Sequence, residues 1–237
     1  MLEKIFTIIM LTISGPIFVF LSIIFFIVSI VSRKTVFPYV KILARIQTLL
    51  MGIWVTKTGN FPKEGQFIVM ANHSSMLDPL LVPFFMKGEY TGIAAKSNYK
   101  YPIWAQILKR FKAIKIERFD HQQAIQTIQY AERILKKYRL HIIILPEGGR
   151  TADGKMKPLK KGGFHMAMNT DSPILPVGIE GAFSIKPYNR WTFRPGRVTI
   201  RIGDVILPKL YPQVGIDGLI KIVDKKLKIL SGEREIL

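Results

Sequence analysis

The amino-acid sequence predicts an α/β fold, with a mixed central β-sheet flanked by helices and an N-terminal membrane-embedded helical segment. From residue 66 onward, short apolar runs alternate with helical patterns, which is typical of α/β layers. Before them, residues 5–32 form an apolar run without a charged residue. A length of 237 residues suits one compact domain with a small appendage. We therefore expect a membrane anchor over residues 1–60 and an α/β domain over residues 61–237.

The apolar run at residues 5–32 is long enough to cross a bilayer. As one helix it would be about 42 Å long, more than a hydrocarbon core of roughly 30 Å. A break at Gly15 and Pro16 would instead give a hairpin or a kinked helix within one leaflet. Residues 36–55 place two basic residues four apart among apolar ones, which predicts either an amphipathic helix at the interface or a core helix. Basic residues follow the apolar run, so the remainder of the chain is expected on the cytoplasmic side of the membrane.

Short apolar runs predict the strands of the sheet, at residues 67–71, 91–95, 113–116, 141–145, 174–179 and 197–202. Asp120 would cap a helix in which apolar residues recur at helical spacing over residues 124–135. A last amphipathic segment, residues 216–230, is expected to pack on the sheet with its lysines outward. These elements complete an α/β layer arrangement.

Composition limits the function classes. The chain has 35 Lys and Arg residues against 16 Asp and Glu, and its formal net charge of +19 favours an anionic partner. Membrane headgroups and a phosphorylated ligand fit that charge. Nucleic acid is not expected, because the sequence lacks a basic, aromatic-rich motif of the RNA-binding type. The absence of cysteine excludes disulfides, thiolate zinc sites and a cysteine nucleophile, so any catalytic base or nucleophile is another residue type.

The stretch "NHSSMLD" at residues 72–78 places His73 five positions before Asp78, between a predicted strand and a predicted helix. In one interpretation Asp78 and Pro79 only begin the helix, with Asp78 as its N-cap, and His73 is an ordinary loop histidine. In the other, the turn brings the carboxylate to one imidazole nitrogen and supports a positive ring when the other nitrogen takes a proton. The two intervening serines are treated as turn residues, because no G-x-S-x-G pattern surrounds them.

The stretch "PEGGRT" at residues 146–151 follows a predicted buried strand. Its glycines, Gly148 and Gly149, permit a close backbone approach, and Arg150 offers a planar fork of donors that suits a phosphate. The sequence does not match a P-loop, because the G-x-x-x-x-G-K-[ST] pattern is absent. The alternative is a glycine turn with a solvated Arg150 and a salt bridge from Glu147. The residue types at this strand end still favour ligand binding.

Together these stretches resemble the glycerolipid acyltransferase family, typified by 1-acylglycerol-3-phosphate acyltransferase. "NHSSMLD" is similar to the HX4D motif of that family, and "PEGGRT" is similar to its E-G-x-R block. Residues 96–118 resemble its second block, with Ala105 in place of the usual glycine, and "ILPVGIEG" at residues 174–181 resembles its fourth. The resemblance covers residues 67–181 and implies a glycerolipid acyltransferase-like fold, with an acyltransferase domain over residues 61–237.

The resemblance also implies roles for individual residues. In that family the matched His73 is the general base and Asp78 is its partner. Arg150, with Lys96 and Arg118, would bind the phosphate of the acyl acceptor. The remaining residues of the E-G-x-R block are expected to bind or orient the substrate: Glu147, Gly148, Gly149 and Thr151.

The reaction implied by the resemblance is transfer of a fatty acyl chain to the sn-2 hydroxyl of 1-acyl-glycerol-3-phosphate (lysophosphatidic acid), which gives phosphatidic acid. The donor would be an acyl thioester, either acyl-CoA or acyl-acyl-carrier-protein, and neither a cofactor nor a metal is implied. The expected partners are the membrane lipid substrate, the thioester donor and an anionic membrane surface. The alternatives are acylation of glycerol 3-phosphate or another lysophospholipid, hydrolysis of a lipid by His73 and Asp78, and non-enzymatic binding of anionic lipid.

Overall fold

A mixed β-sheet forms the centre of the molecule. The computed structural model describes residues 1–31, 35–100, 102–116 and 121–233, and within them the sheet has seven strands in the order β1-β7-β6-β2-β5-β3-β4. The strands are β1 (Ile53–Thr58), β2 (Ile68–Ala71), β3 (Tyr90–Ala95), β4 (Ile114–Ile116), β5 (His141–Ile144), β6 (Ile174–Glu180) and β7 (Gly196–Ile202). β6 and β7 are antiparallel, and the other neighbouring pairs are parallel. The predicted mixed sheet is therefore confirmed.

Helices cover both faces of this sheet. They are α1 (Leu2–Val31), α2 (Val36–Leu50), α3 (Asp78–Phe85), α4 (Pro102–Arg110), α5 (His121–Tyr138), α6 (Gly162–Asn169), α7 (Ala182–Ile185) and α8 (Tyr211–Ser231). One apolar core lies on the side of α1 and α3, and a second lies under α5, α6 and α8. Within the predicted segment of α8 the buried side chains are Leu219, Val223 and Leu227, which confirms the predicted amphipathic helix on the sheet. Asp120, the predicted cap of α5, lies outside the described residues.

The predicted helix over residues 36–55 is wrong at its C-terminal end. α2 stops at Leu50, and Gly52 has a φ of 66°, in the left-handed region that commonly follows a helix. The chain then enters β1, a strand that the apolar periodicity did not reveal. β1 lies within the segment predicted as an anchor and pairs with β7, so the sheet begins before residue 61.

α1 is one continuous helix that passes through Pro16, so of the alternatives left open by the sequence the single helix is found and the hairpin is wrong. Among the described residues it is the helix whose length and composition would let it cross a membrane. One side of α1 packs on the remainder of the protein and buries Met10 and Phe25. The hydroxyl of Tyr39 in α2 donates to the Leu21 carbonyl at 2.8 Å. The other side of α1 exposes large apolar residues, which include Ile5, Ile9, Val19, Phe20, Ile23 and Ile27.

The adjacent parallel strands β6, β2 and β5 position the candidate site. Because their carboxyl ends meet at one edge of the sheet, the segments that follow them converge there. The segment after β2 carries "NHSSMLD", the segment after β5 carries "PEGGRT", and the segment after β6 begins at Gly181. Motifs about seventy residues apart in sequence therefore become neighbours.

Candidate active site

His73 and Asp78 form a direct hydrogen-bonded pair. The imidazole Nδ1 lies 2.7 Å from Oδ2 of Asp78, which also accepts the Ser75 N–H at 2.9 Å. The Asp78 side chain is fully buried, whereas 16% of the His73 side chain is exposed. With Nδ1–H donated to the carboxylate, Nε2 is the nitrogen left to take a proton. The structure thus brings together the predicted pair.

The start of α3 explains this geometry. α3 begins at Asp78 with Pro79 in its first turn, and Leu77 occupies the N-cap position. The alternative interpretation, in which Asp78 is only the N-cap, is therefore wrong, because its carboxylate turns back to His73 and Ser75 instead. Burial raises the pKa of the Asp78 carboxyl, and the hydrogen bond from His73 opposes that rise. Within the described residues, Oδ1 of Asp78 is buried without a hydrogen-bond partner.

Asn72 fixes the main chain just before His73. Its side-chain amide donates to the Ile179 carbonyl at 2.9 Å, and its Oδ1 accepts the Ile179 N–H at 2.7 Å. These bonds continue the pairing of β2 with β6 for one residue beyond the strand. His73 therefore leaves the sheet at a fixed point.

The "PEGGRT" turn attaches to the same histidine. Glu147 is 3% exposed, and its two carboxylate oxygens accept the His73 N–H at 2.6 Å and the Lys157 N–H at 2.8 Å. The Thr151 N–H donates to the His73 carbonyl at 3.2 Å. Burial raises the pKa of Glu147, and these two N–H groups oppose the rise. The main chain of His73 is thus held on both sides by this turn.

Gly148 is required by the backbone of the turn. Its φ is 68°, and a Cβ there would lie 2.8 Å from Cε of Lys160. The Lys160 N–H donates to the Pro146 carbonyl at 2.8 Å, which closes the loop. Gly149 follows in the same turn. Gly148 is therefore explained by the shape of the loop.

The predicted phosphate-binding residues differ in their placement. Arg150 is half-buried, and its Cζ lies 5.0 Å from the centroid of the Tyr188 ring. Lys96 is exposed at the carboxyl end of β3, on the edge of the sheet that also carries His73. Arg118 lies outside the described residues. Arg150 is the member of this group that belongs to the "PEGGRT" turn itself.

A family model described as Acyltransferase matches residues 52–180. The chain belongs to the Acyltransferase family. The matched range begins next to β1 and ends with β6, and it contains both motifs.

Known proteins show the same kinship. The chain is 29% identical over 163 residues to a 1-acyl-sn-glycerol-3-phosphate acyltransferase of Limnanthes alba, which covers 69% of this chain and 58% of that protein. It is also 29% identical over 163 residues to the enzyme of that name from Cocos nucifera, covering 69% of this chain and 53% of the relative. The chain therefore spans a little over half the length of these curated relatives.

A solved structure resembles the whole chain. It is the crystal structure of the 1-acyl-sn-glycerophosphate (LPA) acyltransferase PlsC from Thermotoga maritima, with 26% sequence identity and a TM-score of 0.81. The match covers 99% of this chain and 98% of that protein. The α/β fold and its N-terminal helices are thus shared along their full length.

In this Acyltransferase-family protein, His73 borders a cavity of about 150 Å³. The loop after β5 contributes Glu147, Thr151 and Met156 to its wall, and the C-terminal end of α8 contributes Ser231 and Glu233. The Thr151 hydroxyl donates to Asp153 at 2.7 Å, which orders the turn on this side. His73 therefore adjoins a space that a small part of a substrate can enter.

Sequence reasoning missed several residues of this site. Asn72 stands beside His73 in the motif, but its double bond to Ile179 depends on strand pairing that the sequence does not reveal. Lys157 contributes a backbone N–H, which carries no side-chain signal. Tyr188 approaches Arg150 from a loop that lies outside every recognised motif. No role was predicted from the sequence for residues 186–194, although their basic and aromatic residues offered a signal.

Proposed function

We propose that this protein transfers a fatty acyl chain from an acyl thioester to the sn-2 hydroxyl of 1-acyl-glycerol-3-phosphate, giving phosphatidic acid. The observation that carries the proposal is the His73–Asp78 pair. Oδ2 of the buried Asp78 lies 2.7 Å from Nδ1 of His73, and His73 borders the cavity. The names of the Limnanthes alba, Cocos nucifera and Thermotoga maritima relatives describe the same acyl acceptor. Family membership and geometry thus support one reaction.

In the proposed mechanism, His73 acts as the general base. Its Nε2 takes the proton of the lipid hydroxyl while the hydroxyl oxygen attacks the thioester carbonyl. The C–S bond then breaks, and the imidazolium returns the proton to the leaving thiolate. Asp78 stabilises the positive ring throughout. Proton transfer of this kind typically accelerates a reaction by about 10²–10⁴-fold.

The phosphate of the acyl acceptor would bind Arg150. Its guanidinium suits a bidentate contact with phosphate oxygens. Lys96 lies on the same edge of the sheet and would add positive charge, and Arg118 remains a sequence prediction. Glu147 would act by holding the His73 main chain, since its oxygens accept backbone N–H groups. Gly148, Gly149 and Thr151 would shape the surface that meets the lipid headgroup.

The acyl donor would be acyl-CoA or acyl-acyl-carrier-protein. Both are acidic, and the net charge of +19 favours their approach. The mechanism needs no acyl-enzyme intermediate, no cofactor and no metal, because the thioester is already activated. The donor is therefore a co-substrate.

The proposed location is a membrane surface, with the catalytic domain on the cytoplasmic face. Both ends of α1 contact the remainder of the protein: Glu3 pairs with Arg194 at 2.6 Å, and the Ser29 carbonyl accepts from Arg110 at 3.5 Å. A helix attached at both ends fits insertion into one leaflet better than a span, because a span would carry one end to the far side. Its exposed apolar side would face the acyl chains. A lysophospholipid in that leaflet would then reach His73 from the membrane.

An acyl-acceptor screen tests the proposed reaction. Purified protein in mixed micelles is given one radiolabelled acyl thioester with lysophosphatidic acid, glycerol 3-phosphate, lysophosphatidylcholine or no acyl acceptor. We expect labelled phosphatidic acid to be the dominant product. Labelled free fatty acid without an acylated lipid would identify a hydrolase, and dominant acylation of another acyl acceptor would overturn the assigned substrate.

A further inference from the structure

Residues 186–190 form a loop that connects directly to the catalytic turn. The loop follows α7, and the Lys186 carbonyl accepts the Ser75 hydroxyl at 2.7 Å. Ser75 also donates its N–H to Asp78. The loop is thus hydrogen-bonded to the turn that contains His73, although none of the four family blocks includes its residues.

A buried lysine organises this loop. Lys186 is 5% exposed, and its ammonium donates to the Pro187 carbonyl at 3.2 Å and to the Arg190 carbonyl. Those two bonds fix the start and the end of the loop around Tyr188. The main chain on either side of Tyr188 is therefore held in place, and the Tyr188 ring, which is 60% exposed, extends from it toward Arg150.

The charges around the loop are unbalanced. Burial lowers the pKa of Lys186, and the positive charges of Arg150 and Arg190 lower it further. Arg190 lies 4.0 Å from Glu3 and donates to the Ser184 and Ile185 carbonyls. In the part of the chain that the structure describes, no carboxylate lies within ion-pair distance of Arg150 or Lys186. Positive charge thus accumulates next to the site.

The Tyr188 ring offers this positively charged cluster an electron-rich surface before an anion binds. Its ring centroid lies 5.0 Å from Cζ of Arg150, within the range of a cation–π contact. The electron-rich ring face attracts the guanidinium while the Lys186 ammonium repels it. A guanidinium held in this way loses little conformational freedom when a phosphate arrives.

We propose that Tyr188 is a positioning residue that holds the Arg150 guanidinium ready for the phosphate of the acyl acceptor. The loop at residues 186–190 is then a specificity element for phosphate-bearing lipids. This inference rests on the proposed function, since it assigns Arg150 to the acyl-acceptor phosphate. It adds a residue outside the family motifs to that site.

The test compares Tyr188→Leu with Tyr188→Phe in acyl-transfer kinetics. Leucine removes the ring face, so KM for lysophosphatidic acid should rise roughly 3- to 30-fold with little change in kcat. Phenylalanine keeps the ring and should restore a KM close to that of the wild type. Monoacylglycerol, the matching acyl acceptor without a phosphate, should show no change in either constant with any variant.

A matched control is available on α5. Tyr130 is 41% exposed, and its ring lies 5.9 Å from Cζ of Arg133. Tyr130→Leu therefore removes a similar exposed pair without touching the site, and it should leave both constants unchanged. The inference is overturned if Tyr188→Leu leaves KM unchanged, if Tyr188→Phe is equally impaired, or if monoacylglycerol is affected as strongly. Failure of the wild type to acylate lysophosphatidic acid would instead refute the proposed function.

Discussion

Asp78 carries two opposing requirements at the residue scale. In the proposed mechanism Asp78 must be charged to stabilise an imidazolium, yet it is fully buried, with one oxygen unpaired among the described residues. Burial therefore raises its pKa above the ordinary value of 3.8. A charged Asp78 carboxylate in this buried position therefore lowers the stability of the folded protein.

This conflict predicts opposite effects of pH on activity and stability. Activity should fall as the pH drops through the raised pKa of Asp78, because a protonated carboxyl cannot stabilise the imidazolium. The stability that a proton on Asp78 contributes is full below 3.8 and is lost as the pH rises through the raised pKa. Relative to Asp78→Asn, the wild type should therefore lose thermal stability as the pH rises across that interval.

Thermal unfolding of both proteins over a series of pH values measures this difference. The same samples give kcat/KM for the wild type, whose acid limb should lie above the ordinary aspartate range. A difference in stability that stays constant with pH would contradict the raised pKa.

The residue scale also separates what the sequence could predict from what it could not. His73, Asp78 and Arg150 were predictable because their motifs are short and local in sequence. The bonds of Asn72 to Ile179 and of the Ser75 hydroxyl to the Lys186 carbonyl were not, because they join segments that approach each other only in the folded sheet. The hydrogen bond of Glu147 to the His73 N–H was unpredictable for the same reason, since it joins residues 74 positions apart.

At the element scale, the close approach of β6 and α8 holds the carboxyl edge of the sheet in shape. A Cβ at Gly178 would lie 2.1 Å from the Leu230 carbonyl carbon, so only glycine fits there. The C-terminal end of α8 also lines the cavity beside His73. The packing of two elements thus contributes to the site.

Gly178→Ala should destabilise the protein by about 1–3 kcal/mol, because backbone has to move to admit the methyl group. The midpoint of thermal unfolding measures this change. Gly162→Ala is the matched control, since a Cβ at that position meets nothing within 4 Å and the residue begins α6. Equal midpoints for the two variants would contradict the proposed close packing.

Element prediction succeeded where apolar runs were bounded by clear breaks. The six predicted strands correspond to β2 through β7, with ends that differ by a residue or so. β1 was missed because its apolar start continues the pattern of α2, and the left-handed Gly52 between them was not weighed. The polar half of β1, which is exposed on an edge of the sheet, gives no apolar signal.

At the scale of the whole molecule, α1 is held against the α/β domain at both ends. Its N-terminal end is held by Glu3 and Thr7, with the Thr7 hydroxyl accepting the Phe193 N–H at 2.9 Å. Toward its C-terminal end, the Phe25 ring stacks on Phe111 with centroids 6.0 Å apart. These contacts are not visible in hydropathy, which is why the sequence left spanning and one-leaflet insertion open.

Cysteine labelling tests the one-leaflet arrangement, because the native chain contains no cysteine. Lys4→Cys places a thiol near the start of α1, and Lys63→Cys places one in an exposed loop of the α/β domain. In sealed vesicles with the domain outside, a membrane-impermeant maleimide should label both positions. Protection of Lys4→Cys alone until detergent is added would show that α1 crosses the membrane.

The rate of acyl transfer by His73→Ala is the decisive test of His73 as the general base. The measurement follows labelled phosphatidic acid formed from lysophosphatidic acid and an acyl thioester, with thermal unfolding confirming that the variant is folded. His165→Ala serves as the control, because His165 is an exposed histidine on α6. His73→Ala should lower the rate by about 10²–10⁴-fold, and His165→Ala should keep the wild-type rate. A folded His73→Ala protein that keeps the wild-type rate would contradict the general-base role.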